Sequence, residues 1–240
     1  MQYLTGRFLK EKDESVTLGP LELVQCESES GCGLVQLNHS YDLEEMYGES
    51  YGYRSGLNNG MVKHLRSKVR KILDLGLLLD GDSVLDIGSN DGTTLNCYPS
   101  GKYKLIGIDP SSKKFGKFYK DEIDKVSDFF TGETFREKYP NIRPKIVTSF
   151  SMYYDLEDPV QFASDISKVL DQDGMWIFEQ SYLPTMLAAN SFDTICHEHL
   201  EYYSLHQIKF ILDKVGMHIC DVEFNNVNGG SFSISASKKE

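Results

Sequence analysis

The stretch 84-VLDIGSNDGTTL-95 decides which fold this sequence predicts. An apolar run reaches Asp86, and the chain then turns through Gly88 and passes Gly92, which is predicted to lead into a helix. Glycine lets the backbone approach a ligand closely, and a helix N-terminus offers free N–H groups. The spacing is not the G-x-G-x-x-G of dinucleotide sites. A carboxylate beside the turn repels pyrophosphate and suits a cationic, amino-acid-like ligand, and Asp91 adds a second acid.

Strands and helices alternate on both sides of this stretch. Short apolar runs predict strands at 83–88, 103–109, 145–150 and 175–180. Helical spacing of apolar residues predicts helices at 59–76, 159–170 and 205–216. Two further strands, 217–224 and 231–238, are predicted to form an antiparallel pair. Such alternation is typical of an α/β protein, with a doubly wound, mostly parallel sheet and an antiparallel C-terminal edge.

The chain divides into three predicted parts. Residues 1–40 have the pattern of short strands and turns, with strands at 21–26 and 33–37 around the turn 27–31, and form a small N-terminal β appendage. Residues 41–76 comprise an aromatic, glycine-rich lid loop and the helix that follows it. Residues 77–240 form the ligand-binding α/β domain.

Composition excludes several classes of protein. The net charge of −11 makes nucleic acid a poor partner. No apolar run approaches the roughly 18 residues that a membrane helix requires. The charged N-terminus does not resemble a secretory signal, and five cysteines at irregular spacing do not suggest a disulfide framework. We therefore expect a soluble, cytoplasmic protein.

A further acid, Asp109, follows the motif at the position where a ribose-binding group is expected. Asp109 ends the second strand, as in other doubly wound sheets that bind nucleosides. Together these residues resemble the S-adenosylmethionine (SAM) site of class I methyltransferases, whose first motif is acid-x-Gly-x-x-x-Gly. The resemblance implies SAM as cofactor and a SAM-binding methyltransferase domain over 77–240. The implied cofactor residues are Asp86, Gly88, Asn90, Gly92, Asp109, Asp128, Phe129, Ser149 and Met152. The alternative is a glycine turn in an unrelated α/β protein, with Asp86 as a helix cap.

Three other segments indicate a particular group of methyltransferases. The stretches 193-DTICHEHLEYYS-204, 51-YGYRSGLNNGMVKHL-65 and 228-NGGS-231 resemble SAM-dependent sugar C-methyltransferases, which act on nucleotide-linked deoxyketosugars. The resemblance implies that His199 is the base that forms an enolate and that Glu198 assists it. The implied substrate contacts are Tyr53, His197 and Asn228. Because the same base could deprotonate a hydroxyl, O-methylation stays close behind C-methylation.

The chain departs from that family in three places. Cys196 stands where a tyrosine often precedes the His-Glu-His run, and Ser233 stands where an arginine often follows the Gly-Gly-Ser motif. The family's fuller members continue into a second α/β domain, whereas this chain stops at Glu240. All three departures concern the binding of the acceptor and leave the SAM motifs intact. The expected acceptor is a small polar molecule, and the family resemblance implies a nucleotide-linked sugar. Whether the protein forms a homo-oligomer is left open.

A metal is not expected. The resemblance implies a zinc knuckle with two Cys-x-x-Cys pairs, but only Cys26 and Cys32 are present, with His39 as a third candidate ligand. Two alternatives to the methyltransferase remain open. One is a metal-dependent enzyme that uses His197 and His199, and the other is a non-catalytic partner subunit that binds SAM or a nucleotide.

Overall fold

The structure, a computed structural model, describes residues 2–4, 15, 17–27, 31–48 and 51–239. Its strands in chain order are β1 (Gln2–Tyr3), β2 (Leu18–Gly19), β3 (Leu23–Gln25), β4 (Val35–Leu37), β5 (Ser83–Ile87), β6 (Lys104–Ile108), β7 (Asp124–Val126), β8 (Ile146–Phe150), β9 (Met175–Ser181), β10 (Glu201–Tyr202), β11 (His218–Asn225) and β12 (Ser231–Ser237). Its α-helices are α1 (Leu43–Tyr47), α2 (Asn59–Asp74), α3 (Ser112–Phe115), α4 (Gly132–Lys138), α5 (Pro159–Val169), α6 (Leu183–Ala189) and α7 (Leu205–Lys214).

A seven-stranded sheet forms the centre of the protein, in the order β11-β12-β9-β8-β5-β6-β7. Strands β5 to β9 pair in parallel, and β12 pairs antiparallel with both β9 and β11. The predicted fold class, a mostly parallel α/β sheet with an antiparallel C-terminal edge, is therefore confirmed. Among the described residues, no helix has both the length and the apolar character needed to cross a lipid bilayer.

Helices cover both faces of the sheet, which explains why its central strands are almost continuously apolar. Trp176 and Phe178 of β9 pack into the cluster that includes the apolar residues of α5 and α7. Ile177, between them, packs on the opposite face with Val69 and Ile72 of α2. Alternate side chains of one strand thus join two different cores, and all parallel strands point their carboxyl ends toward one edge.

Helix α2 confirms the prediction for residues 59–76. It begins where the Asn58 side chain accepts hydrogen bonds from the N–H groups of Gly60 and Met61, at 2.9 and 3.2 Å. It is followed by Gly76 in the left-handed region, at φ +66°. The helix thereby runs directly from the predicted lid loop back along the sheet.

A buried carboxylate holds α2 to the sheet. Glu179 of β9 is 2% exposed and accepts from His64 Nε2 at 2.5 Å, Lys68 Nζ at 2.7 Å and Asn225 Nδ2 at 2.9 Å. Burial alone would raise the pKa of this carboxyl, but the His64 hydrogen bond and the Lys68 charge hold it below its usual value. Lys68 also reaches Glu223 of β11, at 3.2 Å. One network therefore joins α2, β9 and β11.

The N-terminal segment packs on the His-Glu-His run. Strands β3 and β4 lie within the predicted strands 21–26 and 33–37 and pair antiparallel, and residues 28–30 of the expected turn lie outside the described residues. Strand β4 also pairs antiparallel with β10, and Leu37 N–H donates to the Leu200 carbonyl at 2.8 Å. The three-part division at 40 and 76 stays a prediction.

Candidate active site

A cavity of about 350 Å³ lies at the carboxyl ends of β5, β6 and β8. Its wall contains Asp86 and Gly88 from the end of β5, Asp109 from the end of β6, and Ser151 and Met152 from the segment after β8. Ligands of open α/β sheets bind at this edge. The first motif and the second-strand acid of the sequence prediction are thus brought together around one space.

Asp86 offers this cavity an unsatisfied acceptor. Its Oδ1 accepts from Thr148 Oγ1 at 2.5 Å, whereas its buried Oδ2 has no hydrogen-bond partner in the protein. Burial raises the pKa of the carboxyl to about 7. A cationic donor would satisfy Oδ2 and stabilise the ionised form. The ammonium group at the methionine end of SAM fits this requirement.

Gly88 makes room beside Asp86. Its φ of +72° lies in the left-handed region, and a Cβ atom there would lie 2.9 Å from Met152 Cγ. Both residues line the cavity. A side chain at position 88 would therefore displace Met152 or occupy space at the ligand site.

Asp109 is held in a fixed orientation by two backbone groups. Its Oδ2 accepts from Asn90 N–H at 2.9 Å and its Oδ1 accepts from Ser111 N–H at 2.7 Å. Burial nevertheless raises the pKa of the carboxyl above its usual value. Each oxygen retains acceptor capacity, so the carboxylate is suited to bind the two hydroxyls of a ribose.

Gly92 differs from its predicted role as a cofactor contact. It does not line the cavity, and at φ +75° a Cβ atom would lie 2.7 Å from the Tyr119 ring. The glycine is needed for packing against this ring. The predicted helix after Gly92 is also wrong, since the segment forms only a 3₁₀ turn at Leu95–Cys97 and reaches Pro99, which cannot continue a helix.

Asn90 and Asp91 bind the loop that was predicted to be a lid. Asn90 accepts from Ser55 N–H at 3.0 Å and donates to the Tyr53 carbonyl at 3.1 Å, and both loop residues line the cavity. Asp91 is buried and accepts from Gly56 N–H at 3.0 Å, with Arg54 Nε at 3.4 Å. Asp91 therefore holds the loop and does not line the cavity.

The predicted adenine residues line the cavity, but one predicted wall residue does not. Asp128 and Phe129 are exposed at its rim, and Asp128 Oδ1 accepts from the following N–H at 2.8 Å. Ser149 is fully buried and accepts from Trp176 Nε1 at 2.9 Å, so its predicted place in the wall is wrong. Strand β8 extends to Phe150, and Ser151, at φ +55°, lines the cavity instead.

His199 has the protonation pattern of a general base. Its Nδ1 lies 2.8 Å from the Thr194 carbonyl, which can only accept, so Nδ1–H donates and the lone pair of the neutral ring lies on Nε2. Burial lowers the pKa of the imidazole below its usual value, which favours the neutral form. The ring packs against Tyr154, with centroids 4.2 Å apart.

Glu198 and His199 adjoin the cavity without lining it. Glu198 interacts with Tyr47 and Asp155, which do line it. His199 packs on Tyr154, the residue before Asp155. Tyr47 OH lies 3.4 Å from the Glu198 carbonyl oxygen. After burial, the Glu198 charge is the next cause that raises the pKa of the Asp155 carboxyl. Sequence analysis missed Tyr47, Tyr51 and Asp155 as site residues, although the aromatic loop was a signal for the tyrosines.

Two predicted substrate contacts lie outside the cavity. His197 is buried, with Nε2 3.4 Å from the Gly19 carbonyl and its ring edge-on to Tyr41 at 5.1 Å between centroids. Asn228 is exposed in the turn between β11 and β12, in the left-handed conformation. Both expectations are corrected: packing with the N-terminal segment occupies His197, and the turn holds Asn228 away from the cavity.

Cys196, Tyr202 and Tyr203 belong to the same run, and their protonation and packing are those of structural residues. Burial, followed by the Glu198 charge, raises the pKa of the Cys196 thiol to about 11, so it stays protonated. Tyr202 and Tyr203 are buried, and Tyr203 OH donates to Glu201 Oε2 at 2.9 Å. Both tyrosines therefore belong to the packed interior.

The strand order, the acid at the end of β5 and the acid at the end of β6 define a methyltransferase domain of the class I type, with SAM as its cofactor. A family model described as a methyltransferase domain matches residues 61–221, and the chain belongs to that family. A second model, described as a candidate zinc binding domain, matches residues 1–47.

Known proteins of this kind are similar to the chain. It is 28% identical to the C-methyltransferase NovU of Streptomyces niveus over 237 residues, which is 98% of this chain and 56% of that protein. The magnesium protoporphyrin IX methyltransferase of Synechocystis PCC 6803, solved with bound SAH, superposes with a TM-score of 0.54 at 14% identity, over 75% of this chain and 84% of its own. A SAM-dependent methyltransferase of Clostridium acetobutylicum gives 0.54 at 12% identity, over 75% and 92%. The two structures show the same fold.

The residues described do not fit a metal. Cys26 is exposed, and His39 Nδ1 lies 3.9 Å from Glu22 Oε2. Across the described part of the chain, no group of three or more His, Cys, Asp and Glu side chains could hold a metal ion. The alternative of a metal enzyme built on His197 and His199 therefore has no support from their positions.

We expect a chelator to leave the protein folded. Structural zinc contributes folding energy directly, so its removal unfolds a zinc-dependent domain. EDTA should change neither the far-ultraviolet circular dichroism nor the melting temperature, and the double variant Cys26→Ser with Cys32→Ser should behave like the wild type. A melting temperature that falls with EDTA in the wild type alone would show that these cysteines do bind metal.

Asp109→Ala is expected to raise the Kd for SAM about 100-fold, because two hydrogen bonds to a charged group are lost. Titration calorimetry measures this effect. Asp128→Ala is the matched comparison: that carboxyl is exposed, and its own neighbouring N–H already binds it, so its Kd should rise less than about tenfold. Equal affinities in the two variants would contradict a ribose-binding role for Asp109.

Proposed function

We propose that the protein transfers a methyl group from SAM to a carbon or hydroxyl of a small polar acceptor, a nucleotide-linked sugar or similar group, with C-methylation ahead of O-methylation. His199 acts as the general base and Glu198 assists it. The observation that carries the proposal is the neutral tautomer of His199, which leaves the lone pair on Nε2, in a ring that packs on Tyr154, the residue before the cavity-lining Asp155. The likeness to a C-methyltransferase supports the carbon acceptor.

Some residues of the site bind the cofactor in this proposal, and others act on the acceptor. SAM supplies a methyl group activated by the positive charge on sulfur. Asp86 and Asp109 would hold its two polar ends, and the loop residues Tyr53 and Ser55 also line the cavity. His199 Nε2 takes the proton from the acceptor carbon or hydroxyl, and the acceptor's electron pair forms the new bond as the carbon–sulfur bond breaks. Deprotonation and alignment are the two tasks that such a displacement requires.

The proposal is tested by incubating the purified protein with SAM carrying a ¹³C-methyl group and a panel of nucleotide-linked deoxyketosugars. Nuclear magnetic resonance distinguishes a new C–CH₃ group from an O–CH₃ group by chemical shift. We expect a product with the label on carbon. Tight SAM binding without any labelled product would contradict this acceptor class, and a label on oxygen would reassign the reaction to O-methylation.

A further inference from the structure

Asp155 lines the cavity but has no role in the reaction proposed above. It ends the 3₁₀ turn Tyr153–Asp155, which directly follows β8 and Met152. Its neighbours in the cavity wall include Tyr47 and Tyr51 of the loop region. The residue therefore lies between the cofactor motif on one side and Glu198 on the other.

The Asp155 carboxyl has no stabilising partner at one of its oxygens. The residue is half-buried, but Oδ1 is shielded from solvent and makes no hydrogen bond within the protein. Buried polar atoms in native proteins are almost always hydrogen-bonded. After burial, the Glu198 charge is the largest cause that raises its pKa and the Glu201 charge adds to it, whereas a hydrogen bond from Tyr47 acts in the opposite direction. Such surroundings cost stability, which indicates that a ligand completes the site.

The charge of the wall limits what that ligand can be. The described lining residues include acids but no lysine, arginine or histidine; the acids are Asp86, Asp109, Asp128, Asp155, Glu157, Asp158 and Asp165. A low-dielectric cleft lined by one sign of charge repels groups of the same sign. A group of net negative charge, such as a phosphate, is therefore disfavoured in this space, whereas SAM, whose net charge is positive, and a neutral group with hydroxyl or carbonyl oxygens are not.

The cofactor does not need Asp155. The unsatisfied Oδ2 of Asp86 lies at the methionine end, and Asp109 ends the strand where the ribose binds. Asp155 lies instead beside two phenols whose pKa values burial raises far above neutrality, so that Tyr47 and Tyr51 stay protonated; Tyr47 already donates within the protein. Two phenols and a carboxyl together suit an oxygen-rich, uncharged molecule.

We propose that Asp155 is an acceptor-binding residue, whose carboxyl hydrogen-bonds to an uncharged hydroxyl or carbonyl oxygen of the acceptor. This inference rests on the proposed function and adds that the part of the acceptor inside the cavity is neutral. If the acceptor carries a diphosphate, that group stays outside the acid-lined wall. Asp155 thereby orients the acceptor against the methyl group while His199 removes the proton.

The test compares Asp155→Asn with Asp121→Asn, which removes one negative charge from an exposed position. Three quantities are measured: the melting temperature of the free protein, the Kd for SAM and kcat/KM for a nucleotide-linked deoxyketosugar. Because the amide removes repulsion, Asp155→Asn should raise the melting temperature by about 2–4 °C. The Kd for SAM should stay within about twofold, and kcat/KM should fall by about 10- to 150-fold. Asp121→Asn should change none of the three.

Two results would overturn the inference. A melting temperature of Asp155→Asn several degrees below that of the wild type would assign the carboxyl to the fold. A weaker affinity for SAM with unchanged kcat/KM for the sugar would assign it to the cofactor site. The first two measurements need no acceptor. A wild type that binds SAM and methylates no ketosugar contradicts the proposed acceptor class, whereas the inference about Asp155 is still decided by the melting temperature and the SAM affinity.

Discussion

His199→Ala is expected to lower kcat of methyl transfer by about 10²–10⁴-fold, the range that general-base catalysis contributes. The Kd for SAM should stay within about twofold, because His199 does not line the cofactor cavity. Stopped-time assays with labelled SAM give kcat, and calorimetry gives the Kd. His206→Ala is the control, since His206 is exposed at the start of α7.

The pH dependence of the same reaction provides a second test of His199. The base works in its neutral form, and burial lowers its pKa below the usual value near 6.5. A plot of kcat against pH should therefore be level at neutral pH and should decrease on acidification, with a midpoint below pH 6.5. This decrease should be absent in the alanine variant. Full turnover by His199→Ala would mean that another group takes the proton, and Asp155 would be the first to examine because it lines the cavity.

Glu179→Ala is expected to destabilise the protein by about 3–5 kcal/mol, the cost of breaking a buried ion pair from one side. Removal of this carboxylate leaves the buried Lys68 ammonium without its nearest counter-ion, at 2.7 Å. The free energy of unfolding in urea measures the loss. Glu223→Ala is the matched control, because that carboxylate contacts the same lysine but is 38% exposed, and it should cost less than about 1 kcal/mol.

The stability that Glu179 contributes should also depend on pH. Its folded pKa lies below the unfolded value near 4.5, so the contribution is fully present above that pH. It is lost as the pH falls through the folded value. A difference in stability between wild type and Glu179→Ala that does not shrink on acidification, or equal losses in the two variants, would contradict this account of the network.

Much of the fold could be predicted from local sequence. Strands β5, β6, β8 and β9 are short apolar runs closed by glycine or a polar residue, and α2 combines helical spacing with Asn58 and Gly76 at its ends. These signals are local, so one sequence suffices to find them. The acids at the ends of β5 and β6 could be predicted for the same reason, because the ends of parallel strands meet at one edge.

The remaining site residues depend on contacts between distant parts of the chain. Strand β10 is two residues long, too short to be recognised, and its pairing with β4 brings the N-terminal segment against His197. Gly92 was assigned to the cofactor because its spacing matches the motif, whereas its surroundings are set by Tyr119. Asp155 could not be predicted, because its pKa depends on Tyr47 and Glu198, which are distant from it in the sequence. The predicted domain boundaries, cytoplasmic location and homo-oligomer stay predictions.

The charged residues of the cavity wall, which in the described part of the chain are all acids, also bear on how the enzyme would release its product. SAM carries a positive charge on sulfur, and transfer of the methyl group leaves a neutral thioether in S-adenosylhomocysteine. The attraction between the wall acids, Asp86 among them, and the sulfur therefore ends when the reaction does. The spent cofactor should consequently dissociate more easily than the fresh one, most markedly at low ionic strength, and feedback by accumulated product should be weak.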